Sequence, residues 1–479
     1  MNLRQTSATI ALALFGALVA ASPAAGSRTQ ETIFDATNDL LLAPTAEARD
    51  ATLDDLRALG VDTVRVVVPW RGLVPGSNSP RRPESFDPTD PAAYHGGVIQ
   101  ALDHVVRGTE ERGMKLLLSP SSPTPDWASA SGRSSVASPK PIEFRQLLTG
   151  LGRRYDGSFG GVPCIQPLPP PLDTVDCVKF PFIFPPLPRV SFWSMWNEPN
   201  LDLFLRPQRR RGLTVSGAAY RNLFRAGMAG LRVSGHGDDP VLVGETAPSG
   251  GHKGTPPLDF MRQVLARGPV GAAGWAHHPY DPNGTPLTPS SRRLLSIPAL
   301  GGLGKPGPRS APAPSLPVYV TEYGVESRPD RRYGVPLARQ AEYLGLAEYS
   351  LWRNPRVRSF GQYLMRDDAN EFEYSFQTGL RFLDGRRKPA YSAFAMTLVV
   401  REPQSGPLRF WGHVRPGEGS RVVQVKASGG RLVRRATTDA DGYFQFSAPA
   451  RRATRWRARA ELPGGRVVQG SWIRSYRFD

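Results

Sequence analysis

Residues 189–205 read RVSFWSMWNEPNLDLFL, and the fold turns on how that stretch is divided. Val190 to Trp196 is an apolar run of strand length, shorter than a helix would need. Where it stops, Trp196, Asn197, Glu198, Pro199 and Asn200 set an amide and a carboxyl group beside an indole. A carboxyl group directly behind a buried run is costly unless it is paired or used, so Glu198 needs a partner.

The same layout recurs at residues 316–324, LPVYVTEYG, where a short apolar run ends on Glu322. Marking every such run predicts eight strands, at Glu31–Ala36, Thr63–Trp70, Lys115–Ser119, Val190–Trp196, Val241–Glu245, Gly274–His278, Val318–Glu322 and Ser359–Leu364. Most are continuous rather than alternating, as expected of strands packed on both faces. Helical patterns fill the gaps at Ala46–Leu59 (closed by Gly60), Tyr94–Arg112, Pro141–Tyr155, Gly217–Val233, Pro257–Ala266, Pro336–Arg353 and Pro389–Val399. The weakest link is the stretch Ala299 to Pro317, crowded with Gly and Pro. Strand–helix units in this number predict an α/β fold, a (β/α)8 TIM barrel with insertions. An open doubly wound sheet would want a Gly-rich phosphate loop after its first strand, and none is present.

Beyond Glu402 the rhythm changes. PLRFWGHVRPG, SRVVQVKAS, RLVRRATTD, GYFQFSAP, TRWRARAEL and RVVQGSWIR are short β-type runs between turn residues, enough for a small all-β sandwich. At the other end, MNLRQ, the apolar run Ile10 to Ala21 and the small residues ASPAAGS read as a secretory signal peptide. A membrane span would need about 20 apolar residues. The expected division is 1–26 signal peptide, 27–402 barrel and 403–479 sandwich. The mature chain is expected to be secreted or associated with the cell wall, with no membrane contact after cleavage.

The two cysteines, Cys164 and Cys177, sit close together before the fourth strand. In an exported chain such a pair reads as a disulfide across a Pro-rich insertion. A metal site would want further ligands, and this loop has no histidine. The chain of 479 residues carries 60 Lys and Arg against 42 Asp and Glu, for a net charge of +18. That balance suits an acidic partner such as an anionic glycan, although a compositional bias toward Arg, Pro, Gly and Ala explains it more simply. No recognition motif for nucleic acid is present. The run RPQRRRG, residues 206–212, follows strand four and is a solvated loop or an anion-binding one.

In a barrel the C-terminal ends of the strands converge on one face. The ends offer Arg65 and Trp70 on strand two, Asp126 and Trp127 after strand three, Asn197 and Glu198 on four, and Glu245 on five. Strand six brings His277, His278 and Tyr280, strand seven Glu322, and strand eight Gln362 and Tyr363. Glu198 and Glu322, 124 positions apart in sequence, thus face one mouth. Cleaving a glycosidic bond needs such a pair, one group to protonate the leaving oxygen and one at the anomeric carbon. Aromatic rings at the same ends, Trp70, Trp127, Trp196, Tyr280 and Tyr363, can serve as platforms for sugar faces. Trp196 reads equally as core, and Glu245 reads as structural.

The order of motifs resembles the retaining (β/α)8 glycoside hydrolases of the superfamily that contains cellulase-like and xylosidase-like enzymes. WNEPN matches that superfamily's acid/base motif at the end of strand four, and VTEYG its nucleophile at the end of strand seven. Arg65 on strand two and the H-x-Y of His278 and Tyr280 extend the match. The resemblance implies Glu198 as general acid/base and Glu322 as nucleophile. It places Arg65, Trp70, Asn197, His278, Tyr280 and Tyr363 around the substrate, and no metal or organic cofactor. Asn197 would donate to the hydroxyl beside the anomeric carbon, Tyr280 would hydrogen-bond Glu322, and Arg65 would hold Glu322 ionised. Tyr363 stands where many members have a Trp, and Ser119 and Pro120 where some have Asn or His. The segment TTDADGYFQF resembles the hairpin of carboxypeptidase-regulatory-like and related Ig-like modules. The alternative to an enzyme is a glycan-binding, wall-associated protein that keeps the barrel with little catalysis.

Overall fold

The computed structural model describes residues 30–163, 182–250, 253–280, 316–369, 375–449 and 455–477. Eight strands form the barrel: β1 (Glu31–Asp35), β2 (Thr63–Pro69), β3 (Lys115–Ser121), β4 (Phe192–Ser194), β5 (Val241–Thr246), β6 (Gly274–His277), β7 (Val318–Val320) and β8 (Val357–Tyr363). Each pairs in parallel with the next in sequence, and β8 closes on β1. All eight expected strands are present in the expected order, with shifted ends. Strand four keeps ladder pairing only over Phe192–Ser194, and strand eight starts two residues earlier than expected.

The outer layer holds α1 (Ala46–Ala58), α2 (Gly97–Glu111), α3 (Pro141–Arg154), α4 (Ser216–Val233), α5 (Pro257–Leu265), α6 (Leu337–Trp352) and α7 (Pro389–Ala395). Local chemistry marks their ends. Thr45 caps α1 by accepting the backbone N–H of Ala48, and Gly60 past its other end takes a φ of 70°. Proline opens α3, α5 and α7, where its missing N–H costs nothing.

The expected helix Pro389–Val399 is too long. It ends at Ala395, and Met396–Arg401 is a strand, β9, that opens the sandwich. Met396, Leu398 and Val400 enter the sandwich core while Val399 joins the barrel core. With both faces buried the run is continuously apolar, and periodicity alone does not distinguish it from helix. The sandwich continues with β10 (Leu408–Val414), β11 (Val422–Ala427), β12 (Leu432–Thr437), β13 (Tyr443–Ala448), β14 (Trp456–Glu461), β15 (Val467–Gln469) and β16 (Ser475–Tyr476). Its sheets run β13-β10-β9-β16 and β12-β11-β14-β15. The segment TTDADGYFQF is therefore not a hairpin: β12 and β13 lie in different sheets, and the turn crosses between them.

The signal segment, Cys164 and Cys177 lie outside the described residues. Among the described residues no helix is long and apolar enough to cross a membrane.

Candidate active site

Inside the barrel, Ile33, Leu117, Phe192, Leu242 and Ala276 form an apolar layer, with Tyr319 against it. Strand side chains repeat on one face every second residue. Two positions further on, the same faces carry Asp35, Ser119, Ser194, His278 and Thr321. Polarity therefore rises toward the C-terminal mouth.

At the end of β4 the backbone leaves the extended conformation, with φ of 72° at Trp196 and 40° at Glu198, unusual for residues with a Cβ. The surroundings hold it there. The N–H groups of Trp196, Asn197 and Glu198 donate to Pro120 O, Ser121 Oγ and Glu245 O at 3.0, 2.9 and 2.9 Å. Ser119 Oγ in turn donates to Trp196 O. Asn200 is fully buried and clamps the neighbouring loop, donating to carbonyls of Ala247, Ser249 and Thr255 and accepting from Ala247 N. The second Asn of WNEPN is thus structural.

Strand β5 contains one extra residue. Val243 and Thr246 pair with Trp275 and His277, so three steps on β5 span two on β6. Gly244 takes a φ of 110° and Glu245 one of 46°. This bulge turns Glu245 into the barrel, where it is fully buried. It accepts from Ser194 and Thr321, and Arg65 lies 3.2 Å away. Burial alone would raise its carboxyl pKa, but Arg65, His278 and Ser194 outweigh that and hold it at about 2. Arg65, itself fully buried, also meets Asp35, Glu322 (2.5 Å) and the Oδ1 of Asn197 (2.8 Å). The last bond turns the amide nitrogen of Asn197 away from Arg65. Burial raises the pKa of Asp35 while Arg65 opposes it.

His278 is enclosed by carboxylates. Its Nε2 faces Glu245 at 2.7 Å, and its Nδ1 faces Glu198 at 3.0 Å and Glu322 at 3.5 Å. Burial would drive its pKa down, but Glu322, Glu198 and Glu245 together push it up to about 10. Protonated on both nitrogens, the ring can donate to Glu245 and Glu198 at once. Its neighbour His277 is the reverse case, lowered to about 3 by burial and by the charge on His278. Tyr280 donates to the other oxygen of Glu322 at 2.8 Å. Glu198 and Glu322 are close: an oxygen of each and a ring nitrogen of His278 lie within 4.8 Å of one another. That spacing would also suit a metal ion.

The structure brings Arg65, Asn197, Glu198, His278, Tyr280, Glu322 and Tyr363 to one mouth, but in two tiers. Arg65 and His278, expected around the substrate, are fully buried beneath the carboxylates and act through them. Trp70 is a further correction: it is 1% exposed, its ring packed against Trp127 and Phe144. Trp127 and Trp196 are buried as well, so no tryptophan of these strand ends is a platform. The half-buried aromatic group at the mouth is Tyr280, Tyr363 and Phe376, with ring centroids 5.3–6.0 Å apart. Phe376 escapes sequence reasoning because it lies in a loop with no periodicity. Asp368, Glu326 and Asp367 hold that loop by accepting the N–H groups of Phe376, Gln377 and Gly379. The signal for Glu245 was Gly244, a glycine inside a strand, which marks a bulge.

No protein-family model matches the sequence, and no curated protein does. Solved structures do. A family 39 glycoside hydrolase from the gut symbiont Bacteroides cellulosilyticus WH2 superposes with a TM-score of 0.51 over 88% of this chain and 80% of its own, at 16% identity. A glucosidase from Croceicoccus marinus gives 0.50 over 89% and 94%, at 13% identity. The likeness is one of fold. The chain shares its architecture, a closed barrel followed by β-sheets, with glycoside hydrolases that its sequence barely resembles.

Proposed function

We propose that the chain is a secreted glycoside hydrolase that retains anomeric configuration, with Glu198 as acid/base and Glu322 as nucleophile. The observation that carries this is the Glu198–Glu322 spacing. Oxygens within 4.8 Å fit the about 5–5.5 Å separation of retaining carboxyl pairs, while inversion needs about 6.5–9.5 Å to seat a water. Glu322 attacks the anomeric carbon as Glu198 gives its proton to the departing glycosidic oxygen. Water then attacks the ester, Glu198 takes its proton, and Glu322 leaves as carboxylate.

The surrounding groups fit these roles. Arg65 and Tyr280 bind opposite oxygens of Glu322, which fixes the orientation of its carboxyl group. Asn197 spends its Oδ1 on Arg65, which leaves its amide nitrogen to donate to a sugar hydroxyl. Tyr280, Tyr363 and Phe376 offer apolar faces for a ring.

Substituted enzymes test the roles. Glu198→Gln should lose about 10²–10⁴-fold on glycosides with poor leaving groups and far less on activated aryl glycosides. Glu322→Ala should lose activity on both alike. Glycan binding with no turnover of any substrate by the unaltered protein would instead favour a non-catalytic barrel. Export is tested by sequencing the N-terminus of the protein recovered from the medium, expected to begin between residues 22 and 27.

A further inference from the structure

Three carboxyl groups stand behind the aromatic wall of the mouth, and no step of the proposed hydrolysis uses them. Asp368 accepts the N–H of Phe376 at 3.0 Å, Glu326 that of Gln377 at 2.7 Å and Asp367 that of Gly379 at 3.0 Å. They come from two separate loops, Glu326 after β7 and the two aspartates after β8. Phe376 is the ring they serve. It packs on Tyr280 and Tyr363, and Tyr280 donates to Glu322.

The charge balance behind that ring is unfavourable. Glu326 faces Asp330 and Asp367, and Asp367 faces Asp368. Asp39 is a further acidic neighbour of Asp368 and is itself faced by Arg366 and Arg381, while the other oxygen of Asp368 takes the amide of Asn38. Among the described residues the ammonium inside the cluster is Lys388, buried 2.5 Å from Asp367 and 2.9 Å from Ser327 Oγ, and donating also to Gln377 O. Hydroxyls or amides would pin a loop without crowding like charges together. Burial, the largest effect, pushes Glu326 up to about 7 and Asp367 to about 6, and it raises Asp368 as well. An ionised carboxyl group accepts an N–H more strongly than a neutral one. The hold on residues 376–379 therefore changes over the range in which these groups titrate.

We propose that Glu326, Asp367 and Asp368 form a titratable clamp that positions Phe376, so that affinity for a sugar ring falls as the clamp takes up protons. The sugar as ligand rests on the glycosidase reading of the mouth, whereas the placing of Phe376 does not. Acting through the backbone of the Phe376 loop, the three are positioning residues, and their effect belongs in KM rather than kcat.

The full chain carrying 4-fluorophenylalanine in place of Phe376, with and without Glu326→Gln, tests this by ¹⁹F NMR. The parent's signal should shift with a midpoint near pH 7, and that shift should be missing from Glu326→Gln, which keeps an acceptor oxygen but cannot titrate. On 4-nitrophenyl glycosides, KM of the parent should rise about threefold relative to the variant between about pH 8 and about pH 6, with kcat following one profile in both. Stability separates a clamp from plain support. The folded pKa of Glu326 lies above its ordinary 4.5, so it contributes stability below about pH 4.5 that is lost as pH rises toward 7. The melting temperature of Glu326→Gln should therefore gain on that of the parent over this range, and a constant deficit would overturn the proposal. So would a ¹⁹F signal that ignores pH or moves alike in both proteins, or identical KM profiles. A moving signal in a chain that turns over no glycoside would sink the glycosidase reading and leave the clamp standing.

Discussion

His278 stands 2.7 Å from Glu245 and 3.0 Å from Glu198, with Glu322 at 3.5 Å, and that crowding sets how the site responds to pH. Its folded pKa of about 10 exceeds the ordinary 6.5, so it contributes stability below about pH 6.5 that is lost as pH rises toward 10. Glu245, depressed from 4.5 to about 2, contributes stability above about pH 4.5 that is lost as pH falls toward 2. Glu348 carries a similar acid limb, so the difference between variant and parent is the readout. Glu245→Gln should remove part of the acid limb in a pH series of melting temperatures. It should also bring the His278 titration, followed by ¹⁵N NMR, down from about 10 toward its ordinary value. Breaking this buried pair should cost about 3–5 kcal/mol. An unchanged His278 titration in that variant would show that Glu245 does not hold the proton. At this scale WNEPN and VTEYG were legible, because a carboxyl group behind a buried strand is rare without a reason. The enclosure of His278 was not, since it depends on three carboxylates from three other strands.

At the scale of the element, β5 decides where Glu245 points. A Cβ on Gly244 would lie 2.6 Å from the Trp275 ring and 2.8 Å from Ala276 O, at a φ that side chains rarely adopt. Gly244→Ala should therefore destabilise the chain by about 1–3 kcal/mol through backbone strain alone, read from urea unfolding. It should also lower kcat by misplacing Glu245 and the N–H of Glu198 that bonds to it. The loop that carries Phe376 is the second such element. Phe376→Ala removes one aromatic contact worth about 0.5–1.5 kcal/mol, so KM should rise about two- to tenfold with kcat little changed. Loss of kcat instead would mean that the ring supports Tyr280 and through it Glu322. The strands themselves were readable as apolar runs between caps. The bulge needed one signal taken seriously, the glycine in VLVGET. The helix that overran into β9 failed for a physical reason: a strand buried on both faces has lost the alternation that identifies it.

Over the whole molecule, the sandwich is built into the barrel rather than tethered to it. Glu348 on α6 is buried and accepts from Arg415 at 2.7 Å, with His413 Nδ1 at 2.8 Å and Thr397 Oγ1 at 2.7 Å. Arg474 and Tyr476 similarly reach Glu342, and Trp411 and Tyr443 belong to the barrel's own core. Arg415→Ala leaves Glu348 buried beside a histidine whose pKa burial lowers, and should cost about 3–5 kcal/mol. The full chain should melt in a single calorimetric transition, and a chain ending at residue 395 should not fold. Two separated transitions would show that the seam is weak. The sequence alone determined the strand–helix order, the closing sandwich and the two carboxyl groups, because each is written in local composition and in spacing along one chain. Only the tertiary structure decided which aromatic rings reach the mouth, that Arg65 and His278 lie beneath the carboxylates, and that Glu245 is turned inward. Burial and hydrogen bonding depend on what the other strands bring to the same point, and no stretch of sequence contains its own neighbours.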